Sequence, residues 1–114
     1  MQTIDTQTTL ANVRANVARI RSEIAAPVLR GENFLLEDAT TSGFYLRVIG
    51  NGQAKWVLNP LEASRYTERD ARRSVKTEAH LNLKATLYMT ALHEAEANSD
   101  ETIALLEKLA AMEA

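Results

Sequence analysis

Apolar residues near the start of the chain recur at the spacing of a helix. Successive members of the set lie alternately three and four positions apart: Leu10, Val13, Val17, Ile20 and Ile24. This spacing predicts an amphipathic helix over residues 8–26. Thr8 or Thr9 would cap its N terminus, and Pro27 would end it, because proline pushes the preceding residue out of the α region. The same alternation occurs in coiled-coil seams, so the helix either packs on the protein's own core or forms a homodimer.

A β-hairpin is predicted in the middle of the chain. Two runs rich in β-forming residues, 44–49 and 55–58, flank the dipeptide Asn51-Gly52. This dipeptide suits a type I′ turn, because both central residues of that turn take positive φ. With a third short strand before the hairpin, the β region would cover residues 34–58.

The turn also predicts which residues of the hairpin face one another. Counted outward from the turn, Gly50 pairs with Gln53 and Arg47 pairs with Trp56, and cross-strand partners share a face. Both faces are largely apolar, so both could be covered. If one is exposed, we expect it to be the face on which Arg47 lies against Trp56.

Strong helix formers dominate the rest of the chain. Thr67, with an acidic residue three positions later, resembles a capping box and predicts the start of a helix. One bent helix or two helices would cover residues 67–97. Alternating apolar positions within residues 80–88 would also fit a strand, but the surrounding helix formers favour helix. Asn98–Asp100 breaks the pattern and caps a last helix over residues 100–112.

These elements predict a single α+β domain, and a chain of 114 residues has the usual size of one domain. A long N-terminal helix, an antiparallel hairpin with two or three strands, and two or three C-terminal helices would surround one core. The predicted core consists of Leu10, Val13, Val17, Ile20, Leu46, Val48, Val57, Val75, Leu87, Ile103, Leu106 and Leu109.

The amino-acid composition limits both the cellular compartment and the kinds of chemistry that we expect for this protein. Cysteine is absent, which excludes disulfides, thiolate zinc sites and cysteine nucleophiles. The opening residues carry no basic side chain, unlike a secretory signal, and no apolar run approaches the ~18 residues of a membrane span. We therefore expect a soluble, cytoplasmic protein with no membrane partner. Its net charge of −2 fits neither an acidic DNA mimic nor a strongly basic nucleic-acid coat.

A basic stripe is the sharpest charge feature of the sequence. Arg69, Arg72, Arg73 and Lys76 follow the i, i+3, i+4, i+7 rule, so one face of the predicted helix carries all four. One interpretation is a solvated face that the acidic C-terminal helix neutralises. The other is a binding face for nucleic-acid phosphates or for an acidic patch on a protein.

Catalytic and metal-binding patterns are weak in this sequence. His93-Glu94 begins like the helix of a zinc protease, but Ala97 occupies the position of the second histidine. His80 is the other histidine, and there is no Gly-rich phosphate loop. We therefore expect no catalytic residues, no metal site and no cofactor, and hence no enzyme.

A loose sequence pattern links the hairpin to the following helix. Trp56, Pro60, Ala63, Tyr66 and Ala71 mark a hairpin strand, a Pro-led turn and a helix entered through an alanine and an aromatic residue. This pattern resembles small modules of uncharacterised bacterial and phage accessory proteins. As a whole, the chain is similar in style to small phage or plasmid anti-defence proteins, including anti-CRISPR proteins. The resemblance implies inhibition by stoichiometric binding to a host complex.

Together these observations favour a non-catalytic binding protein, an accessory or inhibitory factor that acts on a protein or nucleoprotein partner. The alternative is a nucleic-acid-binding protein that contacts phosphates with the same helix face. The candidate partner-binding residues are Arg69, Arg72, Arg73, Lys76, Arg65, Arg47 and Trp56.

Overall fold

The computed structural model describes residues 5–26 and 31–113, which form an α+β protein. In chain order its elements are α1 (Thr6–Ala25), β1 (Phe34–Asp38), β2 (Tyr45–Gly50), β3 (Gln53–Val57), α2 (Glu68–Thr77), β4 (Leu83–Leu87) and α3 (Tyr88–Glu113). The chain divides into two compact units. The first contains α1 and the part of α3 that starts at Glu96, and the second contains the elements between them and the beginning of α3.

In the first unit, α1 begins earlier than predicted because Asp5 caps it. Asp5 Oδ1 accepts hydrogen bonds from the backbone N–H groups two and three residues later, at 3.1 and 3.3 Å. The predicted caps Thr8 and Thr9 therefore lie inside the helix. A carboxylate at this position satisfies free N–H groups and also opposes the helix dipole. The helix ends at Ala25, and the predicted stop, Pro27, lies outside the described residues.

Ion pairs join α1 to α3 within the first unit. Arg14 Nη2 lies 2.7 Å from Glu107 Oε1, and Arg21 binds Asp100 at 2.8 Å and Glu96 at 3.1 Å. As residue numbers rise along α1, those of their partners in α3 fall, so the two helices run antiparallel.

The helix α3 is continuous where a break was predicted, so the prediction at Asn98–Asp100 is wrong. Residues of this type end helices when their side chains bond to nearby backbone groups instead of the helix ladder. Here the Asp100 carboxylate binds Arg21 of α1, and the carbonyl of Asn98 accepts a hydrogen bond from the hydroxyl of Thr102 at 3.0 Å. A contact with a residue far away in sequence thus overrides the local signal.

The second unit is built on a four-stranded antiparallel sheet with the order β3-β2-β1-β4. The full length of β1 pairs with β4, from Phe34↔Leu87 to Asp38↔Leu83. By contrast, β1 meets β2 only near their ends. The sheet therefore has one more strand than the largest number predicted, and β3 and β4 are its edges.

The hairpin of β2 and β3 has the predicted turn. Asn51 and Gly52 both have positive φ, 53° and 73°, as a type I′ turn requires. Gly50 pairs with Gln53, which is also as predicted.

Beyond the turn, the predicted register is wrong by one residue. Arg47 pairs with Lys55, and Trp56 pairs with Leu46, because the ladder shifts between Val48 and Gly50. An extra residue in one strand moves every following side chain to the opposite face. Arg47 and Trp56 therefore lie on opposite faces of the sheet, not side by side. A glycine inside a strand is a known sign of such a bulge, and Gly50 supplied that sign.

The predicted helix over residues 67–97 is wrong between residues 78 and 87. After α2 ends, Asn82 adopts the left-handed conformation, with φ 54°, and the chain then enters β4. The strand alternative for residues 80–88 was the correct one for β4. Pairing with the whole of β1 stabilises the strand, and local helix propensity is too small to oppose such tertiary contacts.

Of the twelve residues predicted to form the core, five are buried, four are partly buried and three are exposed. Those buried as predicted are Leu10, Val17, Ile20, Leu46 and Val57. Those only half-buried are Val13, Val75, Ile103 and Leu106. Predictions of burial are wrong for Val48 and Leu87, each 51% exposed, and for Leu109, 43% exposed. The prediction for Val48 relied on the incorrect hairpin register. The prediction for Leu87 failed because this residue lies in an edge strand that was predicted to be a helix.

Candidate partner-binding surface

The helix α2 displays the basic face, which we define as Arg69, Arg72, Arg73 and Lys76. The helix starts at the predicted cap, Thr67, whose hydroxyl oxygen accepts a hydrogen bond from the backbone N–H three residues later at 3.1 Å. All four cations of the basic face are exposed. The sequence pattern therefore predicted both the start of the helix and the exposure of its charged side.

The other side of α2 is anchored to the sheet. Ala71 is fully buried in a cluster with leucines of β1, β2 and β4. At ~100° per residue, Arg69, Arg73 and Lys76 lie on the side of the helix opposite Ala71, whereas Arg72 lies between the two sides. Packing of the Ala71 side against the sheet therefore fixes the position of the helix that carries the basic face.

Most of the basic face has no ionic partner among the described residues of the second unit. Arg72 Nε lies 3.0 Å from Glu68 Oε1, but both side chains are more than half exposed. Such an exposed pair contributes little stability and leaves Arg72 available to another anion. Within the described residues of the second unit, no carboxylate lies within 4.0 Å of the charged groups of Arg69, Arg73 or Lys76.

The acidic C-terminal helix uses several of its carboxylates within the first unit. Glu96, Asp100 and Glu107 bind the α1 residues Arg21 and Arg14. These three carboxylates therefore have cationic partners within their own unit.

Arg65 has a role within the second unit. Its Nε donates a hydrogen bond of 2.8 Å to the backbone carbonyl of Glu32, and its guanidinium lies 4.2 Å from the centroid of the Tyr88 ring. This cation–π contact ties the segment before α2 to the first residue of α3. Of the predicted site residues, Arg65 is the one most engaged by its own chain.

The hairpin does not bring Arg47 and Trp56 together. Trp56 pairs with Leu46, which belongs to the cluster beneath α2, so Trp56 lies on the α2 side of the sheet and is 39% exposed. Arg47 is exposed on the opposite face. The surface expected from both residues is thus divided between the two faces.

A groove runs between α2 and the edge strand β4. Phe34, Val75, Leu83 and Ala85 provide apolar walls, and the cations Arg72, Lys76 and Lys84 also line the groove. A second concave surface continues along the other end of β4. Sequence reasoning missed Lys84 as a surface residue of this site because it placed residue 84 in a helix.

Buried polar contacts support the inner side of β4. Glu37 of β1 is 1% exposed, and its carboxylate accepts hydrogen bonds from the backbone N–H of Gly43 at 2.9 Å and the hydroxyl of Thr86 at 2.7 Å. Lys84 Nζ lies 3.7 Å from the same carboxylate. A buried carboxylate with these partners is satisfied, so Glu37 connects β4 firmly to β1.

Tyr45 lies beside Glu37 in the sheet register and is buried. Burial, together with the nearby negative charges of Glu37 and Glu94, raises the pKa of Tyr45 to about 12. The phenol therefore stays neutral at physiological pH and is not poised for acid–base chemistry there.

Within residues 5–26 and 31–113, no three His, Asp or Glu side chains lie close enough together to hold a metal ion. Among the described helices, none combines the length and apolar character that crossing a bilayer requires. Comparisons with protein-family models, with curated proteins and with solved structures returned no match for this chain. The exposed surface of α2 and β4 is therefore the candidate functional site.

Proposed function

We propose that the protein is a non-catalytic binding protein, an accessory or inhibitory factor that binds a protein or nucleoprotein partner through the basic face of α2. One contrast within the chain carries this proposal. Arg14 and Arg21 of α1 are paired with carboxylates of their own unit, whereas Arg69, Arg73 and Lys76 have no carboxylate within 4.0 Å among the described residues of the second unit. Exposed, unpaired arginines on a rigid helix are ready to bind an anionic surface.

The neighbouring groove favours a protein surface as the partner. The basic face adjoins apolar walls that include Phe34, Val75 and Leu83. Protein interfaces combine apolar contacts with arginine, while binding to the nucleic-acid backbone rests mainly on phosphate contacts. Acidic Glu68 and Asp70 lie in the first turn of the same helix, where they would repel phosphates.

The proposal is tested by charge reversal on α2. We expect the variant Arg69→Glu/Arg73→Glu to lose a partner that the wild-type protein captures from a host extract, because both substituted side chains project from the sheet. The matched control reverses two exposed cations of the first unit, Arg19→Glu/Lys108→Glu, and should retain the partner. Mass spectrometry identifies the captured chains, and light scattering of the purified complex measures the stoichiometry.

Two results would contradict the proposal. One is equal capture by the α2 variant and the control, with both variants folded by circular dichroism. The other is tight binding of the wild-type protein to a duplex oligonucleotide, with a log–log salt slope of about −0.9 for each phosphate neutralised. That second result would support the nucleic-acid alternative.

A further inference from the structure

We propose that β4 is a docking edge, to which an extended acidic segment of a partner protein adds as a fifth strand. This inference rests on the proposed function and deepens it, because it names the conformation and charge of the partner segment. Three independent features of the second unit support it: the free backbone edge of β4, the cations beside it, and the exposed leucine at its end.

The backbone of β4 presents hydrogen-bonding groups away from β1. Tyr88 N–H donates to the carbonyl of Asn33 at 2.8 Å, and Ala39 N–H donates to the carbonyl of Asn82 at 2.9 Å. Since antiparallel pairs alternate, the even-numbered residues of β4 bond to β1 and the odd-numbered ones face outward. The outward groups belong to Leu83, Ala85 and Leu87. In the described part of the chain, no further strand pairs with β4 on this side, although the Leu87 carbonyl lies at the start of α3 and takes part in its first turn.

The positive charge beside this edge favours the binding of an acidic strand. Arg72 and Lys76 reach the groove from α2, and Lys84 extends from β4 itself, where it is 51% exposed. An added strand places alternate side chains on each face of the sheet. Acidic residues opposite the Leu83 end of β4 would meet these cations.

The other end of β4 selects an apolar side chain. Leu87 is 51% exposed there, and Glu94 lines the concave surface beside it. Arg72 and Lys84 line the same surface, so the preference for an apolar residue at this end rests on the exposed Leu87 side chain and not on charge. The partner segment would therefore be acidic toward Leu83 and apolar toward Leu87.

A second copy of this chain suits the edge less well. Self-pairing centred on Ala85 would satisfy the outward backbone groups of both copies. It would also bring the cationic groove rim of one copy, with Arg72 and Lys76, toward that of the other. Like charges that meet at an interface oppose association, so an acidic strand is the better occupant.

The first test uses a defined probe and a readout at the backbone. The probe is a fluorescent, acetylated peptide of about eight residues, in which acidic residues precede valine and leucine on a pattern of alternate side chains. We expect it to bind with a measurable change in anisotropy and to slow the exchange of the Ala85 and Leu87 amide hydrogens. The same peptide with lysine in place of glutamate, or with N-methyl groups on alternate residues, should bind at least about tenfold more weakly.

The second test removes one outward donor from the protein. Ala85→Pro lacks the N–H that faces away from β1, and proline is tolerated on the solvent side of an edge strand. We expect probe affinity to fall about tenfold or more, while the control Ala85→Ser, which keeps the N–H, binds like the wild-type protein. If Ala85→Pro fails to fold, the N-methylated probe and the amide exchange of the wild-type protein still test the proposal.

Three results with the peptide would overturn the strand-addition proposal: the N-methylated probe binds as tightly as the unmodified one, the probe binds without protecting the amides, or the acidic probe does not bind at millimolar concentration. A wild-type dimer that the substitution Ala85→Pro dissociates would also overturn it. Partner capture that survives Ala85→Pro but not Arg69→Glu/Arg73→Glu would also overturn it, while leaving the proposed function intact. Capture insensitive to Arg69→Glu/Arg73→Glu would instead contradict the proposed function.

Discussion

Glu37 shows that a charged residue can be buried in a sheet when neighbouring strands supply its hydrogen-bond partners. It follows an apolar run and gives no sign of burial in the sequence, yet its carboxylate is almost wholly enclosed and accepts two hydrogen bonds. Its partners Thr86 and Lys84 come from β4, which the sequence placed in a helix. An unsatisfied buried carboxylate would be strongly destabilising, so the burial of Glu37 became understandable only with the β1–β4 pairing.

Tyr45 makes the stability of the folded chain depend on pH at the alkaline end. The unfolded chain ionises this phenol near pH 10, while the folded chain keeps it neutral up to a pKa of about 12. Its contribution is therefore complete below pH ~10 and is lost as the pH rises toward 12. We expect the free energy of unfolding in urea to fall by about 2–3 kcal/mol over that range.

The variant Tyr45→Phe provides the control for this pH dependence. Phenylalanine has no phenol to ionise, so the decrease between pH ~9 and ~11.5 should become smaller. A residual decrease is expected from Tyr66, whose pKa burial also raises. An unchanged pH dependence in the variant would contradict the assignment to Tyr45.

At the scale of elements, α2 is the case in which local sequence and structure agree. Its start at Thr67 was predicted from a capping pattern, and its exposed side was predicted from the spacing of four cations. Both signals act within one or two turns of helix, and so a short segment of sequence contains them. The functional meaning of the basic face is not local, because it depends on whether carboxylates from other elements neutralise it.

The N-cap of α2 gives a quantitative test of this agreement. Thr67→Ala removes the side-chain acceptor of the N–H of Asp70, and we expect it to lower the free energy of unfolding by about 1 kcal/mol. Thr77→Ala at the other end of the helix is the control. Its hydroxyl donates to the carbonyl of Arg73 and caps no free N–H group, so its removal should change stability by less than about 0.5 kcal/mol. Equal effects of both substitutions would show that the cap is not specific.

The strand β4 is the case in which local sequence misleads. Its alternating apolar residues signal a strand, while the composition around them signals a helix. When a short segment carries both signals, its tertiary partners determine its secondary structure. Here β1 pairs with the full length of β4 in the antiparallel direction. The hairpin register failed for a different reason, since one bulged residue displaces every later pair.

At the scale of the whole molecule, burial of α1 was well predicted. Leu10, Val17 and Ile20 are each at most 3% exposed, as their helical spacing indicated. We expect Ile20→Ala to lower the free energy of unfolding by about 2–5 kcal/mol, because it removes buried methyl groups and leaves a cavity. Leu105→Ala on α3 is the control, since Leu105 is 63% exposed, and it should change stability by less than about 0.5 kcal/mol. Similar melting temperatures for the two variants would contradict the assignment of α1 to the core.

The sequence by itself determined the features that depend on neighbouring residues: the amphipathic α1, the Asn51-Gly52 turn, the cap of α2 and the charged side of that helix. Only the tertiary structure decided the fourth strand, the hairpin register, the continuity of α3 and the burial of Glu37. Each of these depends on a partner far away in sequence, such as β1 for β4 or Arg21 for Asp100. Local propensities of a few tenths of a kcal/mol per residue cannot compete with a whole ladder of strand pairing or with packing against another element. The edge of β4 and the groove beside it, on which the strand-addition proposal depends, belong to this second group.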